Sequence, residues 1–182
     1  MKTESTFKYV LRLTFTLLLI TAIVAALLSV VNGITAPIIA KMNEEKIQQA
    51  VQTVLPGGGS VVEFEDDTGL VSQVYKGESG YAVQVAPVGF DGEITMMVGI
   101  GNDGKVLGIS IINQTETAGL GAVCAAKNSA GEAFRDQFVG LSGILAVTKD
   151  GGEVDSITSA TITSRAVTAG VNAALACVAN FG

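Results

Sequence analysis

Hydroxyl-bearing residues crowd one short stretch of this chain: Ser156, Thr158, Ser159, Thr161, Thr163 and Ser164. Directly after it, Val167, Val171, Ala174, Leu175 and Val178 recur at helical spacing. The first backbone N–H groups of a helix lack partners within it, and together with the macrodipole they attract phosphate. Hydroxyls in that position can also do something simpler, with Thr163 or Ser164 capping the helix. A threonine or serine hydroxyl that forms a covalent bond is a weak nucleophile and requires a base or a metal to activate it.

The rest of the composition narrows what that chemistry can be. The chain has no histidine, which removes Ser-His and Cys-His catalysis, most zinc sites and an imidazole-ligated haem. Its two cysteines, Cys124 and Cys177, cannot supply the four thiolates of an iron–sulfur cluster. Both sit among small apolar residues, which reads as buried free thiols. A disulfide in an oxidising compartment, or one ligand to a cluster shared with a partner, are the other readings. A redox centre held within this chain is then organic, with no metal site expected.

At 182 residues there is room for one modest domain and an appendage, and the net charge of −6 argues against a nucleic-acid-binding surface. The charge is uneven. Lys2, Lys8 and Arg12 outnumber Glu4 in a leader over residues 1–12, and the remaining body is acidic. Residues 13–36 are uncharged and largely apolar, long enough to cross a bilayer. A cleaved signal peptide is the competing reading, but its apolar region is usually shorter, about 7–15 residues. By the positive-inside rule the basic leader lies in the cytoplasm and the acidic body on the outer face of the cell membrane, after a single pass.

Residues 37–56 form an amphipathic pattern, with Ile39, Met42, Lys46, Ile47, Ala50, Val51, Val54 and Leu55 at helical spacing, and Pro56-Gly57-Gly58-Gly59 ends it. This predicts a stalk helix, or one whose apolar face packs on partner subunits. From residue 60 to 182 the pattern is that of a folded domain. Strands are predicted at 61–64, 70–75, 81–88, 94–100 and 106–112, joined by short Gly- and Asp-rich turns and therefore antiparallel. A helix is predicted at 130–138, a short strand at 145–147, and a final helix from about Thr163. Helices gathered on one side of such a sheet give an α+β architecture. Gly99-Ile100-Gly101-Asn102-Asp103-Gly104 matches the dinucleotide fingerprint G-x-G-x-x-G. That motif needs a helix next, whereas Lys105-Val106-Leu107-Gly108-Ile109 reads as a strand after a hairpin turn, so nucleotide binding there is rejected.

Asp155-Ser156-Ile157-Thr158-Ser159-Ala160-Thr161-Ile162-Thr163-Ser164-Arg165-Ala166-Val167 resembles the flavinylation motif of the FMN-binding domain family, D-x-x-[ST]-G-A-T-x-[ST]-S-x-A-V. That family includes the G subunit of Rnf ion-translocating complexes and the C subunit of sodium-pumping NADH:quinone reductases. The resemblance covers most of the chain after Ala40 and implies that FMN is carried covalently, as a phosphoester on Thr161, with Thr158, Ser159 and Ala160 around it. Ser159 stands at the motif's glycine, where a positive φ or a close phosphate approach is the expected reason for that residue. Thr115-Glu116-Thr117-Ala118-Gly119-Leu120-Gly121 is similar to the family's E-T-P-G-L-G segment beside the flavin, with Ala118 in place of Pro. It adds Glu116, Thr117 and Leu120 to the cofactor side. Phe134-Arg135-Asp136-Gln137-Phe138 is also similar to a family segment, although Phe134 and Phe138 at i, i+4 are explained as core.

What the resemblance implies is an electron-carrier subunit of a membrane ion-translocating oxidoreductase, a redox subunit rather than an enzyme on its own. Partner chains would handle NADH or ferredoxin, and a separate magnesium-dependent flavin transferase would attach the flavin from FAD. The short chain and the 161–167 tail suit the Rnf G subunit better than the longer quinone-reductase C subunit. Two rivals come from other classes. One is a non-redox, membrane-anchored partner-binding module whose hydroxyls merely cap a helix. The other is a hydrolase with Thr161 or Ser159 as nucleophile and Lys149 or Lys127 as base, which ranks last because a lysine base must be desolvated.

Overall fold

The structure is a computed structural model that describes residues 3–181; Lys2 of the basic leader and the domain's last residue, Gly182, lie outside the described residues. The chain divides into two compact units, residues 1–45 and 46–182. In the first unit α1 (Thr3–Val54) begins, and it runs through Pro37 without a break. Large apolar side chains from Phe7 to Ile39 are exposed along it, and the most apolar window is not buried at all. This helix is long and apolar enough to cross a membrane. The hydroxyls of Thr14, Thr16, Thr21 and Thr35 each donate to the carbonyl four residues back, at 2.8–3.1 Å. Satisfying polar groups inside the helix is what an apolar surrounding demands.

In the second unit β1 (Ser60–Val62), β2 (Val71–Lys76), β3 (Gly80–Val85), β4 (Thr95–Gly101) and β5 (Val106–Asn113) form one sheet in chain order. Every neighbouring pair is antiparallel. All five predicted strands are present, with ends within three residues of the predicted ones. β3 stops at Val85 rather than at 88: Ala86 makes one more bond to Leu70, and Pro87 then has no N–H to continue the ladder. Between β4 and β5, Gly104 at φ +74 closes a tight turn on Gly101, so the rejected fingerprint is indeed a hairpin.

Side chains alternate across the sheet and face two different cores. Val74, Val83, Met96, Val98 and Ile100 point to one face, packed by Val167, Val171 and Ala174 of α3 (Thr161–Ala179) and by Phe134 and Phe138. Phe134, in α2 (Ser129–Asp136), meets Phe138 edge to face at 5.6 Å, the core role read from their spacing. On the opposite face, Tyr75, Ala82 and Met97 pack against Ala50, Val51, Val54 and Leu55 from the last turns of α1 and just after it. Helices therefore cover both faces instead of gathering on one. The amphipathic stripe at 47–55 is a core pattern for this sheet. Gly99 allows the approach, because a Cβ there would collide with the Val54 carbonyl oxygen.

The predicted strand at 145–147 is reduced to one parallel bridge, Val147 with Val154. Asn172 explains the reduction: its side-chain amide accepts from Leu145 N at 2.9 Å and donates to Leu145 O at 2.8 Å, using the groups a ladder would need. Cys124 and Cys177 are free and buried.

Candidate functional site

Two hydroxyls of the first turn of α3, those of Thr163 and Ser164, face inward. Ala160 is the N-cap and makes no side-chain cap, so the helix starts at Thr161, two residues before the predicted start. Thr163 and Ser164 do not cap it because they are committed elsewhere. Ser164 Oγ donates to Ala160 O at 3.0 Å and accepts from Ile157 N at 2.9 Å, stapling the preceding turn to the helix. Thr163 Oγ1 donates to Glu116 Oε2. Ser159, just upstream, takes φ +61, the left-handed conformation for which the motif's glycine is suited. A serine therefore carries the backbone shape that the pattern assigns to glycine.

Glu116 joins three segments that are distant in sequence. It is 6% exposed, and its Oε1 accepts from the backbone N–H of Phe90 at 2.8 Å and of Asp91 at 3.0 Å. With Thr163 on its other oxygen, the buried carboxylate has three donors, which offset its loss of water. Gly89 and Gly121 leave room for it, since a Cβ at either would overlap the carboxylate. The result ties the 89–92 turn, the loop after β5 and the start of α3 into one frame.

That frame surrounds a cavity of about 290 Å³ lined by Thr117, Leu120, Ser159, Ala160, Thr161 and Ile162, together with Phe90, Gly121, Glu116 and Thr163. Of the residues read from sequence, Glu116, Thr117, Leu120, Ser159, Ala160 and Thr161 meet here, while Thr158 is exposed and does not line it. Phe90 at 68% exposure, Ile162 at 50% and Leu120 at 41% form an apolar rim. Apolar side chains open to solvent around a cleft are a binding feature rather than a packing one.

Lys149 completes the site. Its Nζ donates to Thr161 Oγ1 at 2.8 Å from the short 3₁₀ turn Thr148–Asp150. The lysine is exposed and acts here as a donor to the threonine. Its neighbour Asp150 is turned to Arg165 of α3, which donates to it twice, at 2.7 and 2.6 Å. Those hydrogen bonds hold the Asp150 carboxyl below the usual carboxylate range. Beneath the site Cys124 is pushed up to about 11 by burial, with the charge of Glu116 adding to the shift.

Sequence reasoning missed Phe90, Thr163 as the partner of Glu116, and Gln137. The Gln137 amide accepts from Asp155 N at 2.7 Å and donates to Asp155 O at 3.3 Å, pinning the start of the hydroxyl-rich segment. Only Gln137 had a signal, since it lies inside the 134–138 segment.

The FMN-binding domain family matches residues 89–176, a span that contains every residue lining the cavity. The chain is 35% identical to the G subunit of the Na⁺-translocating ferredoxin:NAD⁺ oxidoreductase complex of Acetobacterium woodii, covering 94% of this chain and 92% of that one. The chain belongs to the family of ion-translocating oxidoreductase G subunits. Another G subunit, from Methanosarcina acetivorans, is 31% identical over 92% of this chain and 94% of its own. The G subunit of the proton-translocating ferredoxin:NAD⁺ oxidoreductase complex of Clostridium ljungdahlii is 39% identical over 56% of this chain and 54% of its own. G subunits of complexes named for different ions thus resemble this chain, and the resemblance reaches both of its units.

Proposed function

We infer that this G subunit relays electrons within a membrane complex that couples redox chemistry to ion translocation, using FMN held as a phosphoester on Thr161. The observation that carries it is the setting of Thr161: a partly exposed hydroxyl at the first position of α3, on the wall of the cavity. The donor set suits a phosphate. The first-turn N–H groups of α3 have no side-chain cap, the helix dipole favours an anion, and an ammonium already touches the hydroxyl. The apolar rim suits a planar aromatic ring. At about 290 Å³ the cavity is near the lower end of ligand sites, roughly 300–1,000 Å³, and it would leave part of the flavin open to an electron partner.

When bound, FMN supplies one- and two-electron transfer. The chain supplies position: Glu116 fixes the three walls, Ser159 sets the turn before the attachment residue, and Phe90, Leu120 and Ile162 border the ring. Thr117, Ala160 and the nearby Thr158 complete the cofactor side. No histidine is available to take the hydroxyl proton, which supports a separate flavin transferase as the source of the base. A domain on the outer face meets little free FMN, so a covalent bond keeps the site filled. In this reading residues 1–12 are the cytoplasmic leader, 13–36 the membrane span, 37–56 the connecting helix and 60–182 the flavin domain.

Peptide mapping of the chain co-expressed with a flavin transferase tests this. The flavin mass should fall on the peptide containing Thr161 and vanish in Thr161→Ala. Flavin on any other peptide overturns the assignment.

A further inference from the structure

We propose that Lys149 is a positioning residue for Thr161, orienting its hydroxyl for phosphoryl transfer and then serving as counter-ion to the phosphoester formed there. The proposal rests on the assignment of Thr161 as the attachment point and adds a role for a residue twelve positions away.

Three observations support it. First, the contact is direct, Nζ to Oγ1 at 2.8 Å. Second, the position is structurally fixed. The turn Thr148–Asp150 ends at Gly151, at φ +84, and Gly152 N returns to Val147 O at 3.1 Å. The same turn is anchored to α3 by the paired bonds from Arg165 to Asp150. Arg165 lies four residues after Thr161 and therefore on the same helix face. Third, the charge is available. Asp150 is the acid nearest in sequence, and Arg165 neutralises it; no salt bridge among the described residues includes Lys149. An acidic chain thus presents a cation, not a carboxylate, at the one hydroxyl that is to receive a negative group.

The chemistry follows from the direction of the hydrogen bond. Lys149 donates, so the hydroxyl's own proton points elsewhere, toward an external base. When FAD is the donor, a bond forms between Thr161 Oγ1 and the FMN phosphorus. The phosphoanhydride P–O bond breaks, AMP leaves with the electron pair, and the hydroxyl proton passes to the transferase. An ammonium on the oxygen stabilises the negative charge that develops as the proton departs. Afterwards it balances the single charge of the phosphodiester.

The test is the rate of flavin attachment to the full-length, detergent-purified chain, using a flavin transferase, FAD and Mg²⁺, read as flavin fluorescence of the denatured band. Lys149→Met should be about tenfold slower, the loss of one charge-assisted hydrogen bond, with its unfolding midpoint unchanged. Lys149→Arg should recover to within about twofold, and Lys149→Glu should be slower than Lys149→Met. Added salt should narrow the gap between wild type and Lys149→Met, which a purely structural role would not produce. Attachment to Lys149→Met at the wild-type rate, with Thr161→Ala still unlabelled, overturns the role of Lys149 and leaves the attachment point intact. Labelling of Thr161→Ala at the wild-type rate removes both.

Discussion

On the inner side of α3's first turn, the Thr163 hydroxyl meets Glu116, a buried carboxylate that also holds two backbone N–H groups of the 89–92 turn. On the outer side, two residues earlier, the Thr161 hydroxyl meets Lys149, an exposed ammonium on a short turn. The two pairs look alike as hydrogen bonds and differ in what surrounds them. A buried charge must keep every donor or bear the full cost of lost hydration, so the inner pair is tied to stability. An exposed pair is screened and contributes little to folding, so the outer pair is free to serve chemistry. In the proposed reading, one turn of helix has a structural side and a reactive side.

The largest expected effect breaks the inner side. Glu116→Ala leaves the Thr163 hydroxyl and two backbone N–H groups without their acceptor, and urea unfolding should show a loss of about 3 kcal/mol. Flavin attachment should fall with it, because the three walls separate. Thr163→Val keeps the shape but removes one donor from the carboxylate; about 1–2 kcal/mol should be lost, and Thr163→Ser should restore most of it. Ser159→Gly should stabilise by about 0.5–1 kcal/mol, by relieving a left-handed serine. Lys149→Met should change stability by less than about 0.5 kcal/mol. If Lys149→Met instead destabilises as much as Glu116→Ala, the two sides are not distinct.

A pH titration sharpens the inner side further. Cys124 beside Glu116 is raised by burial from 9.0 to about 11, so the unfolded thiol loses its proton first. Between those values the native state binds more protons, and stability should fall as pH rises through that window. Cys177 is shifted the same way, so Cys124→Ala should flatten, not abolish, the alkaline limb of a pH-stability curve.

Much of this is legible from residue order. The five strands follow from β-branched runs between Gly- and Asp-rich turns, and the hairpin at 102–104 follows from its turn residues. The hydroxyl-rich segment at 155–167 and the loop at 115–121 both stand out, and six of the seven residues named from them line one cavity. What escapes depends on distance along the chain. Nothing local ties Glu116 to Thr163, 47 residues on, or Lys149 to Thr161. Reading the hydroxyls as caps places the start of α3 too late, because Thr163 and Ser164 spend theirs on Glu116 and Ala160.

The two apolar helices show the same limit. α1 and α3 are both long and apolar enough to cross a membrane, yet the most apolar part of α1 is exposed, and α3 is more than half buried on the sheet. Composition alone does not separate a membrane span from a core helix; the partner surface does. The last turns of α1 carry a stripe whose pattern suits a stalk or a partner contact, and in the folded chain it covers the sheet's second face.

The central claim is the bond at Thr161. Its most direct test is the intact mass of the denatured subunit isolated from its own membrane, beside Thr161→Ala prepared in the same way. Wild type should be heavier than its amino acids by one esterified FMN, and the variant should match its amino acids alone. A wild-type chain with no added mass would contradict the claim.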